Sequence, residues 1–100
     1  MSVLAEIAVF PMDKGGSVSQ WVARVLAVIQ ESGLPYQLGP MGTTVEGERA
    51  EVMQVADRCL AALEEDCERV YMTLKVDLRK GPSGRMAGKV ASVQARLREA

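Results

Sequence analysis

The chain switches between two hydrophobic periods, and each switch marks a new element. Residues 3–12 follow a period of two. Val3, Ala5, Ile7 and Val9 fall on one side, and Leu4, Glu6, Ala8 and Phe10 on the other. Successive strand side chains point to opposite faces, so this pattern predicts a strand largely buried on both, ended by Pro11 and the Gly15-Gly16 pair. Residues 17–32 change to the helical period, with Val18, Trp21, Val22, Val25, Leu26 and Ile29 at i, i+3, i+4 spacing. Ser17 followed by Gln20 reads as a capping box, and Gly33 as the left-handed residue that closes the helix.

Two short strands are predicted over residues 35–38 and 43–46. The Gly39-Pro40-Met41-Gly42 turn between them is tight enough to make them antiparallel neighbours. Residues 47–65 contain a second helix. Its apolar stripe is Val52, Val55, Ala56, Cys59, Leu60 and Leu63, with Glu51, Gln54, Arg58, Glu64 and Glu65 facing out. Residues 69–79 show the cleanest alternation: Val70, Met72, Leu74, Val76 and Leu78 on one face, and Arg69, Tyr71, Thr73, Lys75, Asp77 and Arg79 on the other. Residues 80–84 break the strand as a flexible loop, and residues 86–99 form a third helix with a narrow stripe of Met86, Val90, Val93 and Leu97.

The order β-α-β-β-α-β is that of a ferredoxin-like α+β domain, here one domain over residues 1–100 with an extra C-terminal helix. Right-handed crossovers put the first two helices on one face of an antiparallel sheet. The expected strand order is fourth, first, third, second. The helix-facing side then holds Val3, Ala5, Ile7, Val9, Val45, Val70, Met72, Leu74 and Val76. The other side holds Leu4, Glu6, Ala8, Phe10, Thr44, Glu46, Tyr71, Thr73, Lys75 and Asp77. Leu4, Phe10 and Tyr71 make that side too apolar for a solvated face, while Glu6, Lys75 and Asp77 make it too charged for an unpartnered interior. Another subunit, or a ligand held at a seam, is expected to cover it, and the protein is expected to be a homo-oligomer.

Composition narrows the function. One hundred residues, 48% hydrophobic, suffice for one core but leave little room for a deep catalytic cleft as well. A net charge of -1 excludes a uniformly basic nucleic-acid binder. The charge is nevertheless uneven: residues 75–100 are net +5 and the remainder net -6. That asymmetry fits subunit contacts, an anion-binding tail or simply a solvated helix and loop. Cys59 and Cys67, eight residues apart on one helical stretch, lie about 12 Å apart by helix rise. A disulfide spans at most ~7 Å, so both read as reduced thiols of a cytoplasmic protein. No apolar run reaches the ~20 residues of a membrane span, and no signal peptide is apparent, so no membrane partner is expected.

Catalytic signatures are missing. The chain has no histidine, which removes Ser-His and Cys-His pairs and any zinc pattern. It has no phosphate-binding or dinucleotide-binding glycine motif. Lys14-Gly15-Gly16-Ser17 places its glycines after the lysine and reads as a helix-start turn. Glu6 and Glu46 are available as an acid–base pair, but an ion-pair or ligand-holding role accounts for them equally well. An RNA-binding sheet would carry aromatic pairs on its central strands, whereas Phe10 stands alone there. The expectation is a binding protein with no catalytic residue, no metal and no cofactor.

Four stretches resemble the small thiamine-binding protein family, ferredoxin-like proteins related to the two-repeat YkoF proteins. They are Ala5-Glu6-Ile7-Ala8-Val9-Phe10-Pro11; Ser17-Val18-Ser19; Gly39-Pro40-Met41-Gly42-Thr43-Thr44-Val45-Glu46-Gly47; and Lys75-Val76-Asp77-Leu78-Arg79 with Lys89-Val90-Ala91-Ser92-Val93. The third is the most specific, although the family often has Asn at the position of Gly39. The resemblance implies a non-catalytic homo-oligomer, expected to be a tetramer, that binds thiamine or its hydroxymethylpyrimidine half. An aminopyrimidine with a cationic thiazolium suits carboxylates at Glu6 and Glu46, hydroxyls at Ser17, Thr43 and Thr44, and stacking by Phe10, Trp21, Tyr36 or Tyr71. Lys75 also belongs to the expected ligand-binding site, and a plain ion pair with Lys75 across the sheet would equally explain Glu46. Packing alone would equally explain Trp21, and helix capping Ser17. The alternative is a regulatory or structural oligomer with no small-molecule ligand.

Overall fold

β1 (Ser2–Pro11) lies at the centre of a four-stranded antiparallel sheet, between β3 (Thr43–Glu48) and β4 (Val70–Arg79), with β2 (Tyr36–Leu38) beyond β3. The helices are α1 (Ser19–Glu31), α2 (Arg49–Glu64) and α3 (Arg85–Glu99). This is a computed structural model, and it describes residues 2–81 and 84–99. The expected loop over residues 80–84 therefore lies partly outside the described residues. The fold is ferredoxin-like with an added C-terminal helix, and the strand order agrees with expectation.

Register fixes which residues share a face. Ala5 lies between Val45 and Val76, and Ile7 between Thr43 and Leu74. Glu6 lies between Thr44 and Lys75, and Phe10 opposite Tyr71. Val3, Ala5, Ile7, Val9 and Val45 meet Trp21, Val25 and Ile29 of α1 and Val52, Val55, Ala56, Cys59 and Leu63 of α2 in one core. Each large aliphatic side chain removed from water there contributes roughly 1.5–3 kcal/mol. Cys67, which falls past the α2 stripe, is also buried in this core. Pro11 ends β1 opposite Val70, and the ladder continues one residue on, where the Met12 N–H donates to the Arg69 C=O at 2.8 Å.

The helix ends differ from expectation at one place. α1 begins at Ser19, and Val18 is its N-cap, with φ -116° and ψ 4° and no side-chain cap. The Val18 C=O already accepts from the N–H groups of Trp21 and Val22, both at 3.0 Å. Ser17 is therefore one residue too early, and the Ser17–Gln20 capping box does not form. A capping box does open α2, where the Glu48 N–H donates to Glu51 Oε1 at 3.2 Å. At the end of α1, Gly33 adopts φ +75° and its N–H reaches the Gln30 C=O at 3.2 Å, as predicted.

α3 has no buried residue. It leaves the end of β4 and turns across the sheet toward β2, where Met86 and Val90 share a groove with Tyr36 and Gln37. Its first residue is the anchor: the Arg85 guanidinium donates to Asp77 Oδ2 at 3.0 Å, to the Asp77 C=O at 2.9 Å and to the Ser2 C=O at 3.2 Å.

Candidate functional site

The expected site residues divide between the two sides of the sheet. Glu6, Phe10, Thr44, Glu46 and Lys75 stand on the side away from α1 and α2, whereas Thr43 and Tyr36 stand on the helix side. Ser17 is exposed in the segment before α1.

On the outer side, Leu4, Glu6, Thr44, Lys75 and Asp77 line a shallow depression of about 350 Å³. Lys75 Nζ lies 3.7 Å from Glu6 Oε1. That is a loose ion pair between exposed groups, of the kind that contributes little to stability. Lys75 thus pairs with Glu6, not with Glu46 as the sequence suggested. Glu46 is only 3% exposed, and its Oε2 accepts the Arg85 backbone N–H at 2.7 Å. Its carboxylate holds the N-terminus of α3, where a negative charge meets free N–H groups and the positive end of the helix. Phe10 and Tyr71 form a tilted ring pair with centroids 5.8 Å apart.

On the helix side, a cavity of about 270 Å³ opens between α1 and the β2–β3 turn. Val18, Val22, Val25 and Leu26 form its α1 wall, the β1 segment 7–10 its floor, and residues 38–43 its rim. Val22 and Leu26, assigned to the core stripe of α1, thus border this cavity. Thr43 is the hydroxyl of the lining. Tyr36 lies outside the cavity, its hydroxyl accepting from Gln30 Nε2 at 2.8 Å and tying β2 to α1. Trp21 is buried, with the Arg24 guanidinium 4.5 Å and the Lys14 ammonium 5.5 Å from its ring centre. It is a packing residue.

The β2–β3 turn joins the two surfaces. The Gly39 N–H donates to the Gly42 C=O at 2.9 Å. A Cβ at Gly42 would come within 3.1 Å of Glu6 Cγ and 3.3 Å of the Ile7 C=O, so the turn backbone packs directly on Glu6. A Cβ at Gly39 would come within 2.9 Å of the Gly42 C=O, so an Asn there would require the turn to open. Among the described residues no group of three or more His, Cys, Asp or Glu side chains could hold a metal ion, and no helix is long and apolar enough to cross a membrane.

This turn lies within the region matched by a known family. Residues 5–94 match the family described as Thiamine-binding protein. The chain belongs to that family. A UPF0045 protein of Mycobacterium bovis is 40% identical over 98 residues, covering 97% of this chain and 96% of the relative. One from Methanocaldococcus jannaschii is 30% identical over 91% of each chain. The crystal structure of a hypothetical protein from that archaeon superposes with a TM-score of 0.86 at 29% identity, covering 93% of this chain and 96% of the other. A Thermotoga maritima protein assigned provisionally to thiamine biosynthesis or salvage superposes with a TM-score of 0.72 at 30% identity, over 79% of this chain and 85% of that one. The family's region includes β1, the turn and β3, so it spans both surfaces beside Glu6.

Sequence reasoning missed three features. The α1-side cavity was hidden because Val22 and Leu26 fit a core stripe. The Glu46–Arg85 contact crosses 39 positions of sequence and has no local signature. The Glu48–Glu51 cap escaped because Glu lies outside the residue types by which N-caps are usually read.

Proposed function

We propose that the protein binds thiamine or its hydroxymethylpyrimidine half, without catalysing a reaction on it, as a cytoplasmic homo-oligomer. The observation that carries this reading is the position of the family-matching turn. Pro40, Met41, Gly42 and Thr43 rim an apolar cavity while Gly42 packs on the Glu6 side chain. At about 270 Å³ the cavity lies near the lower end of small-molecule sites, roughly 300 Å³. It suits one heteroaromatic ring better than the whole of thiamine. In this reading the ligand sits where the turn closes the end of β3: one ring enters the cavity beside Thr43 and the β1 segment that carries Phe10, and the part left outside reaches round the Gly42 turn to the outer face, where Glu6 takes hydrogen bonds from an amino group or balances the thiazolium charge. Thr44 stands beside Glu6 as a further donor, and Lys75 is the cation the ligand displaces. Ser17, Tyr36 and Glu46 act at a distance, in the approach to α1, the β2–α1 tie and the seating of α3.

Isothermal titration with thiamine and with hydroxymethylpyrimidine tests the reading. Saturable heat is expected with at least one of them, and a large loss of affinity in Glu6→Gln with the oligomer intact. No heat at millimolar ligand from a folded oligomer would reject it. A second reading, a regulatory or structural oligomer, draws on the apolar residues left at the surface, notably Tyr71, Val93 and Leu97. It predicts that Glu6→Ala breaks the assembly while no ligand effect exists to be lost.

A further inference from the structure

Met41 is 84% exposed, the most of any large apolar side chain among the described residues, and yet it lines the cavity between α1 and the β2–β3 turn. Leu38, 56% exposed, lines the same mouth. Behind them the α1 wall is aliphatic, and Thr43 is the hydroxyl-bearing residue of the lining. The turn backbone that carries Met41 is pinned at both ends. The Gly39 N–H donates to the Gly42 C=O at 2.9 Å, and Gly42 backs onto Glu6 and the Ile7 C=O. What can move at the mouth is therefore the Met41 side chain. Methionine has three rotatable bonds and a polarizable sulfur that favours the edge of an aromatic ring. A thioether left in water beside an apolar cavity, where it packs little of the fold, is accounted for by a ring that enters the cavity and a side chain that swings over it. The same exposure opens its sulfur to small oxidants. Met12 and Met53 are 49% and 38% exposed and do not line this cavity, and Met72 and Met86 are half-buried.

We propose that Met41 caps the ring bound in this cavity and is a peroxide-sensitive modification site that switches the cap off. In the modification a sulfur lone pair attacks one oxygen of hydrogen peroxide. The S–O bond forms as the O–O bond breaks, and the departing hydroxide takes the remaining proton. The sulfur is oxidised and the peroxide reduced, so thioether and hydrogen peroxide become sulfoxide and water. The product is polar and chiral, with an acceptor oxygen where the thioether was apolar. Pressed against a ring and the aliphatic wall of α1, that oxygen would lose its water without gaining a donor. The oxidised side chain therefore stays in solvent, and the mouth stays open. The cap rests on the function proposed above only for the identity of the ring; the cavity and the exposed sulfur stand without it.

Dilute hydrogen peroxide followed by peptide mass spectrometry tests the site. Met41 should gain oxygen faster than Met12 or Met53, and saturating toluene should slow Met41 without slowing Met53. Met41 reacting no faster than Met53, or unprotected by toluene that binds, overturns it. The switch is read from binding before and after oxidation. Thiamine is followed by isothermal titration, and toluene by the methyl shifts of Val22 and Leu26, because toluene probes the cavity whatever its natural ligand. Each affinity should fall about tenfold on oxidation, with the circular dichroism unchanged. In Met41→Leu, whatever its starting affinity, peroxide should produce no further fall. Met41→Gln should match the oxidised parent without peroxide. An undiminished affinity in the oxidised parent, or an equal fall in peroxide-treated Met41→Leu, overturns the switch. Toluene that binds and is released on oxidation, in a protein that never binds thiamine, rejects the thiamine reading and keeps the cap. A protein that binds neither ring before oxidation rejects both.

Discussion

The Glu46 carboxylate accepts the Arg85 backbone N–H at 2.7 Å, so a buried β3 side chain caps the first turn of α3. α3 buries none of its own residues, and its hold on the sheet is therefore concentrated at this end. Arg85 and Lys89 complete the attachment by converging on Asp77, each at 3.0 Å.

Removing the Glu46 carboxylate should loosen α3 more than it disturbs the core. Glu46→Ala leaves the Arg85 N–H without its partner and a small void opposite Leu4, at a cost of about 1.5–3 kcal/mol. Glu46→Gln keeps the volume and an acceptor oxygen but loses the charge at the helix N-terminus, and should cost less. Urea unfolding gives the magnitude. Amide exchange should show the loss first in α3 and later, or not at all, in α1 and α2.

The same attachment should weaken in acid. Hydrogen bonding from Lys89, together with the charges of Lys89 and Arg85, holds the Asp77 carboxyl below its usual 3.8. A carboxylate whose folded value is depressed stabilises the fold above its unfolded value and loses that contribution as pH falls through the folded one. α3 should accordingly stay docked near neutrality and detach below pH 3.8. Asp13 is lowered in the same sense, chiefly by the Glu68 backbone N–H, so the β1–β4 end of the sheet should weaken over the same range. Asp77→Asn should abolish the α3 part of the acid response and leave the Asp13 part, which chemical-shift titration of the two regions would separate.

How far the sequence carried the fold depended on whether the signal was local. The alternation of residues 69–79 and the stripe of α2 made their elements legible, and the element order fixed the sheet order. The candidate site was only half legible, because its parts come from segments that meet only in space. The period of two placed Glu6, Thr44 and Lys75 correctly on one face, and the strand register makes them neighbours there. The same arithmetic could not show that Glu46 would be taken by Arg85, a residue beyond the last strand. Nor could it show the cavity under α1, since Val22 and Leu26 have the spacing of core residues whether or not the sheet fills the space beneath them.

Cys59 should behave as an inert core thiol. It is fully buried, and burial pushes its pKa from the usual 9.0 to about 11. Thiolate is the reactive form, so the native protein at pH 8 should leave Cys59 unlabelled by a thiol reagent until denaturant is added. The linkage runs opposite to that of Asp77. A raised acid group favours the folded state below its unfolded value, and the advantage disappears as pH rises from about 9 toward 11. Cys59→Ala should reduce this alkaline sensitivity while creating a small cavity. Labelling rates as a function of pH and urea would measure both.

The turn that bears the family pattern offers the sharpest separation of fold from binding. At Gly42 an added methyl would press on Glu6 Cγ at 3.1 Å and on the Ile7 C=O at 3.3 Å. The first is a flexible side chain that can swing aside; the second is strand backbone that cannot. Gly42→Ala should therefore cost about 1–3 kcal/mol by overpacking, and it should displace the Glu6 carboxylate from its place beside Thr44. Gly88 is the control. It lies within α3 with nothing within 4 Å of an added Cβ, so Gly88→Ala should stabilise the protein by about 0.5–1 kcal/mol. If Glu6 holds the ligand, titration with thiamine or hydroxymethylpyrimidine should lose most of its affinity in Gly42→Ala at a temperature where that variant is fully folded, and none in Gly88→Ala. Equal affinity in both would remove Glu6, and the turn that positions it, from the binding site.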